Sequence, residues 1–135
     1  MQEDTTYSIK DMEREFGLTL RTLRYYEERG LVRPVRRGAL RVYSVKDRER
    51  LKLITRFKAL GFALVEVKEI VDLLEAPRGR RKNLQGLRSR LSEQRELLRE
   101  QCRELEKVLE LMEETLTEVN GEIIAQDGGN LHGGG

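Results

Sequence analysis

Leu20-Arg21-Thr22-Leu23-Arg24-Tyr25-Tyr26-Glu27-Glu28-Arg29-Gly30-Leu31-Val32-Arg33-Pro34 is the stretch that decides how this chain folds. Its apolar positions Leu20, Leu23 and Tyr26 (or the neighbouring Tyr25) recur at helical spacing. Arg21, Thr22 and Arg24 are left on the opposite side, free to point outward. Gly30 and Pro34 break the helix. On the N-terminal side, Thr19 opens this helix after a short turn containing Gly17. Before that turn, Ser8 and Asp11 form a capping-box signature, and Ile9, Met12 and Phe16 mark one face of a first short helix. Two short helices joined through a glycine-bearing turn are the helix-turn-helix pattern.

On the C-terminal side, Val35-Arg36-Arg37-Gly38-Ala39-Leu40-Arg41-Val42-Tyr43 reads as a hairpin turning near Gly38. Ser44 and Asp47 repeat the capping signature and start a third helix, with Val45, Leu51, Ile54, Phe57 and Leu60 inward. Gly61-Phe62 closes it, and a fourth helix from Leu64 to Glu75 carries Val67, Ile70, Val71 and Leu74. Residues 76–82 form a breaker-rich basic linker.

From residue 83 the period changes. Leu84, Leu91, Leu98, Leu105, Met112 and Val119 recur every seven residues, with Leu87, Gln94, Gln101, Val108 and Thr115 as their partners and Leu109 and Leu116 widening the stripe. That is a coiled-coil helix over 83–120, roughly 55 Å long at about 1.5 Å per residue. Nothing else in the chain is free to cover such a stripe, so it is expected to pair with the same helix of a second copy. Gln94 and Gln101 weaken the middle of the seam but can fix its register. The Gly-rich tail, 121–135, is expected to be disordered. The fold class is therefore all-α with a small β wing: a winged helix-turn-helix domain over 7–75, then a long coiled-coil dimerisation helix.

Charge is distributed unevenly along this plan. Residues 19–58 hold 13 Lys/Arg against 4 acids, whereas residues 104–122 hold one Lys and seven Glu. A basic first half with an acidic distal helix suits a nucleic-acid reader that has a separate assembly element. The acidic, polar start Met1–Thr6 has none of the features of a secretory signal, and no apolar run is long enough to span a bilayer. The lone Cys102 cannot form an internal disulfide, and a reducing, cytoplasmic setting near the nucleoid is expected. There is no nucleophile–base pair, phosphate loop or paired-carboxylate site, so no enzyme, metal or cofactor is expected.

Tyr7-Ser8-Ile9, Leu20-Arg21-Thr22-Leu23-Arg24-Tyr25-Tyr26-Glu27, Gly30-Leu31-Val32-Arg33-Pro34, Arg41-Val42-Tyr43-Ser44 with Asp47, and Leu60-Gly61-Phe62-Ala63-Leu64 with Glu66 and Ile70 together resemble the DNA-binding domain of the MerR family of transcription regulators. The resemblance covers about residues 7–75, and the long helix is similar to the family's antiparallel dimerisation helix. The run Arg48–Ile54 followed by Lys58–Phe62 is most similar to short proteobacterial members, including regulators of leucine and isovalerate breakdown.

The resemblance implies a site. Thr19, Arg21, Thr22, Arg24, Tyr25 and Tyr26 would approach the major groove and its flanking phosphates. Arg36, Arg37 and Arg41 with Tyr43 would lie along the backbone or minor groove, and Arg56 and Lys58 would add phosphate contacts. The residue types agree, because Arg suits bidentate contact with phosphate or guanine. Some alternatives stay open. One of Tyr25 and Tyr26 belongs to the core, Arg24 has Glu27 and Glu28 as competing partners, and Arg41 either contacts DNA or braces the wing. Dimerisation would use Leu84, Leu87, Leu91, Leu98, Leu105, Val108, Leu109, Met112, Leu116 and Val119.

A mechanism is implied as well. Family dimers bind an inverted repeat in promoters whose two recognition elements stand too far apart. They bend and untwist the spacer, so RNA polymerase is reached indirectly, through shared DNA. An architectural or excisionase-like DNA bender and a coiled-coil adaptor are the competing readings. Metal-sensing members carry cysteines around the long helix that are missing here, and His132 is expected to be solvated. Cys102 is either a small packing residue or a thiol that reports oxidants.

Overall fold

The computed structural model describes residues 5–133, with side chains through residue 128. The expectations for Met1–Asp4 and for His132 lie outside what it describes. The elements in order are β1 (Thr6–Ser8), α1 (Ile9–Phe16), α2 (Leu20–Glu28), β2 (Val35–Arg37), β3 (Leu40–Ser44), α3 (Val45–Ala59), α4 (Leu64–Glu75) and α5 (Arg80–Gly133). They fall into two units, one ending at Leu91 and one beginning at Ser92.

Both capping boxes form. Ser8 Oγ accepts the Asp11 N–H at 3.1 Å while the Asp11 carboxylate accepts the Ser8 N–H at 2.8 Å. Ser44 and Asp47 repeat the exchange at 3.0 and 2.9 Å. Each box satisfies two amides that a helix start otherwise leaves bare. Gly17 ends α1 at φ 64°, a left-handed conformation that glycine adopts without a Cβ clash. Thr19 Oγ1 then accepts the Thr22 N–H at 3.1 Å and caps α2.

One strand goes beyond the sequence expectation. β1 pairs antiparallel with β3 (Tyr7 opposite Tyr43), giving a three-stranded sheet in the order β1-β3-β2. The hairpin β2–β3 turns through Gly38 and Ala39, with Gly38 at φ 63° in a two-residue loop that needs positive φ. Met12, Leu23, Tyr26, Tyr43, Leu51, Ile54, Val67, Ile70 and Val71 are the centre of one buried cluster shared by the sheet and α1–α4. Leu60, expected inward, is the C-cap of α3 and is exposed.

Three arginines bind the head together from its periphery. Arg48 on α3 pairs with Glu15 on α1 and lies over the Tyr7 ring at 5.6 Å. Arg50 donates to the Leu31 carbonyl at 2.7 Å and pairs with Glu75 and Asp72 on α4. Arg90 reaches Glu69 at 2.8 Å. Arg50 and Arg48 thus fix the loop after α2 and the helices around it, leaving α2 as a framed surface.

The basic linker is shorter than expected. Helix α5 begins at Arg80, and its first bond runs from the Asn83 N–H to the Gly79 carbonyl at 2.8 Å. Arg and Lys are good helix formers, so only residues 76–79 remain non-helical. Leu87 and Leu91 pack against the head cluster of their own chain. They are therefore engaged within the single chain.

The second unit consists of helix. Its expected end at residue 120 is corrected by the structure, which continues α5 to Gly133. An isolated Gly121 costs only about 1 kcal/mol in a helix that is already nucleated. Glu122-Ile123-Ile124-Ala125-Gln126 holds no breaker, so no disordered tail begins there. Leu98, Cys102, Leu105, Leu109, Met112, Leu116, Val119 and Ile123 are spaced alternately by four and three residues. Cys102 is on this stripe, and it is exposed in the single chain. Every large apolar residue of this stripe is exposed.

Candidate nucleic-acid interface

The outward face of α2 is set by its burial pattern. Leu23 and Tyr26 are buried, while Arg21, Arg24 and Tyr25 are exposed. The choice between the two tyrosines is resolved here. Tyr26 belongs to the core at 7% exposure, and Tyr25 is 43% exposed. A DNA contact through Tyr26 is corrected accordingly, because the three-residue step from Leu23 places both on the inward stripe. Burial also raises the Tyr26 phenol above its ordinary range. Tyr25 is held in place by Arg29, whose Nε–H donates to the Tyr25 hydroxyl at 3.1 Å.

Thr19 and Thr22 sit at the start of the same helix. Their hydroxyls are 2.9 Å apart, and that of Thr19 is already engaged as the cap. Arg24, for which Glu27 and Glu28 were competing partners, makes no ion pair among the described residues. Glu27 is taken up elsewhere. Arg41 Nε–H donates to Glu27 Oε2 at 2.7 Å, and Arg36 stands 3.7 Å from Glu27 Oε1. The Arg41 and Glu27 side chains are 16% and 20% exposed, so this pair is shielded from solvent and Arg41 braces the wing.

Tyr43 is corrected as well. It is fully buried, and its phenol is pushed up to about 12, first by burial and then by the neighbouring Glu27 charge. Strand alternation explains this. Tyr43 lies two residues beyond Arg41 and faces the same side, toward the core. Its hydroxyl makes no hydrogen bond among the described residues. Arg37 is exposed on β2, and Arg56 and Lys58 are exposed in the last turn of α3, none of the three in an ion pair among the described residues. Beside the carboxyl end of α3 the two also oppose the helix dipole favourably.

A cleft of about 520 Å³ lies between the start of α1, α2 and the wing. Thr6, Ser8, Lys10, Leu20, Arg24 and Leu40 are among the residues lining it, and no carboxylate among the described residues does. Lys10 and Leu40 were not evident from the sequence pattern. Lys10 reads as an ordinary solvated helix residue, and Leu40 reads as one more β-prone residue of the wing.

Taken together, a reading helix framed by a helix-turn-helix and a wing, with exposed cations, defines a winged helix-turn-helix DNA-binding domain. Family models match the chain as "MerR HTH family regulatory protein" over residues 7–74 and as "MerR, DNA binding" over residues 48–116. The chain belongs to the MerR family of DNA-binding transcription regulators.

Its relatives are named regulators and activators rather than enzymes. The HTH-type transcriptional activator mta of Bacillus subtilis is 32% identical over 117 residues, which are 85% of this chain and 42% of that protein. The HTH-type transcriptional regulator CueR of Salmonella typhi is 38% identical over 73 residues, 53% of each chain. The chain thus spans about half the length of these relatives, or less. A MerR-family regulator from Bacillus cereus has the same fold, with a TM-score of 0.69 at 28% identity over 82% of this chain and 79% of that one. No helix among the described residues is long and apolar enough to cross a membrane.

Proposed function

We propose that the protein acts as a homodimer on an inverted repeat inside promoters with an over-long spacer. It bends and untwists that spacer so that RNA polymerase engages both promoter elements. The observation that carries this reading is the exposed Arg21–Arg24–Tyr25 face of α2 beside a wing tied to the same helix through Glu27 and Arg41. Such a face supplies both sequence-independent affinity and base-edge contacts. Arg37, Arg56 and Lys58 extend the contact along the phosphates.

Dimerisation is supported by the uncovered stripe Leu98, Leu105, Leu109, Met112, Leu116, Val119. Charge favours an antiparallel pair. Residues 80–103 hold eight Lys/Arg against three Glu, whereas 104–122 hold one Lys against seven Glu. Antiparallel pairing sets unlike halves against each other, and parallel pairing sets like against like. Leu84 joins this seam, while Leu87 and Leu91 serve the head first. Two heads on one dimer match the two halves of an inverted repeat. The name of the relative mta, an activator, favours activation over simple occlusion.

Genome-wide mapping of bound sites in the source organism tests the proposal. Sites between promoter elements with long spacers support it. Sites inside genes or in normally spaced promoters overturn it in favour of a purely architectural DNA bender.

A further inference from the structure

The hairpin register divides the wing into two chemically different faces. Val35 is opposite Val42, Arg36 opposite Arg41, and Arg37 opposite Leu40. Directly opposed residues share a face, and successive residues alternate. One face therefore holds Arg36, Arg41 and Tyr43. Arg41 on it is shielded against Glu27 and Tyr43 is buried, whereas the Arg36 side chain stands 3.7 Å from Glu27 and is 63% exposed. The other face holds Val35, Arg37, Leu40 and Val42. Leu40 is 72% exposed on it and Val35 64% exposed. An uncovered leucine and valine beside an arginine that is unpaired among the described residues form an apolar strip with a cationic edge.

That strip continues into the cleft beside α2. Leu20, Leu40 and Val42 give the cleft its apolar wall, Lys10, Arg24 and the edge of Arg41 add charge, and no carboxylate among the described residues lines it. An occupant must therefore present apolar carbon to the wall and negative charge to its rim. The sugar–phosphate wall of duplex DNA does this, with deoxyribose carbons between phosphates. Arg24 also belongs to the helix already assigned to DNA, so one duplex can reach both.

We infer that Leu40 is a DNA-contacting residue, packing on the deoxyribose edge of the strand whose phosphates Arg37, Arg24 and Lys10 hold. The inference rests on the proposed DNA-binding function and adds to it an apolar contact and a choice of face. The wing meets DNA through Arg37 and Leu40, whereas Arg41 acts through Glu27.

Salt dependence separates the two kinds of contact. A phosphate contact releases counterions and contributes to the slope of log affinity against log salt, whereas an apolar contact does not. The test is equilibrium binding of the full chain to a mapped operator fragment across a range of salt. Leu40→Ala is expected to weaken binding about three- to tenfold at every salt concentration with an unchanged slope. Arg37→Ala is expected to lower the slope by about one. Leu40→Met keeps the apolar length and is expected to bind like the unaltered chain, which separates contact from turn geometry. Thermal unfolding of Leu40→Ala should match the unaltered chain, because the side chain is exposed. Equal binding by Leu40→Ala and the unaltered chain overturns the inference, as does equal loss in Leu40→Ala and Leu40→Met. Failure of the unaltered chain to bind duplex DNA is a different result, and it removes the functional proposal itself.

Discussion

Glu27 Oε2 accepts a hydrogen bond from Arg41 Nε at 2.7 Å, joining the reading helix to the wing across 14 residues of sequence. The pair is shielded, so its geometry rather than its net charge sets the wing's position beside α2. Glu27→Gln keeps the size of the side chain and removes the charge. It is expected to lower unfolding stability by roughly 1–2 kcal/mol. Removing a negative charge also favours DNA in general. Binding to random duplex should therefore hold or rise while the preference for the operator falls. Competition titration with operator and random duplex checks this, and a preserved preference contradicts the bracing role of Arg41.

Tyr43 makes an alkaline prediction. Its folded-state phenol is raised to about 12 from an ordinary value near 10. Between those two values the unfolded chain has released the proton and the folded chain has not. The stability that this group contributes is therefore intact below about pH 10 and is lost as pH rises toward 12. Tyr43→Phe should unfold with a weaker dependence on pH in that window; the remaining dependence includes Tyr26, whose phenol is also raised. At neutral pH the same substitution should change stability by less than about 1 kcal/mol, because the buried hydroxyl has no partner among the described residues. Denaturant unfolding at neutral and alkaline pH measures both.

Arg21 and Arg24 are exposed on α2 and unpaired among the described residues. Replacing either by alanine should weaken operator binding at low salt, with folding unaffected. A residue that touches only phosphate lowers the salt slope by about one and weakens all sequences alike. A residue that reads a base costs about 1–3 kcal/mol on the operator and relaxes the choice of base at one position. Binding to a panel of singly substituted operators separates these roles for the two arginines.

The seam makes a positional prediction. Leu116 lies on the stripe of alternating four- and three-residue steps, and Leu111 lies off it although both are exposed. Leu116→Lys should weaken the dimer at least tenfold, since a lysine on an a/d-type position must be desolvated or splay the pair. Leu111→Lys should leave the dimer intact. Sedimentation velocity at a series of concentrations reports both, with circular dichroism showing that the helix persists. Equal effects from the two substitutions contradict the assigned register.

Much of the fold could be read from local chemistry. Ser8 with Asp11 and Ser44 with Asp47 announce helix starts because capping depends on residues three apart. Helix α4 appears with its expected bounds, Leu64–Glu75, for the same reason: an apolar stripe between clear breaks. What escaped reading was non-local. β1 is three residues long, too short for an alternating pattern, and it exists only because β3 lies beside it. The burial of Tyr43 and the hub role of Glu27 depend on strand register, which sequence spacing alone does not reveal. Leu87 and Leu91 sit on the heptad pattern, yet the nearer head surface takes them first.

The most direct measurement is transcription in vitro from a mapped target promoter, with the native spacer and with that spacer shortened by a few base pairs to ordinary length. Action through the spacer predicts stimulation on the native promoter and none, or repression, on the shortened one, since the deformation then misaligns the two elements. Equal stimulation on both promoters would show that the protein does not act through the spacer.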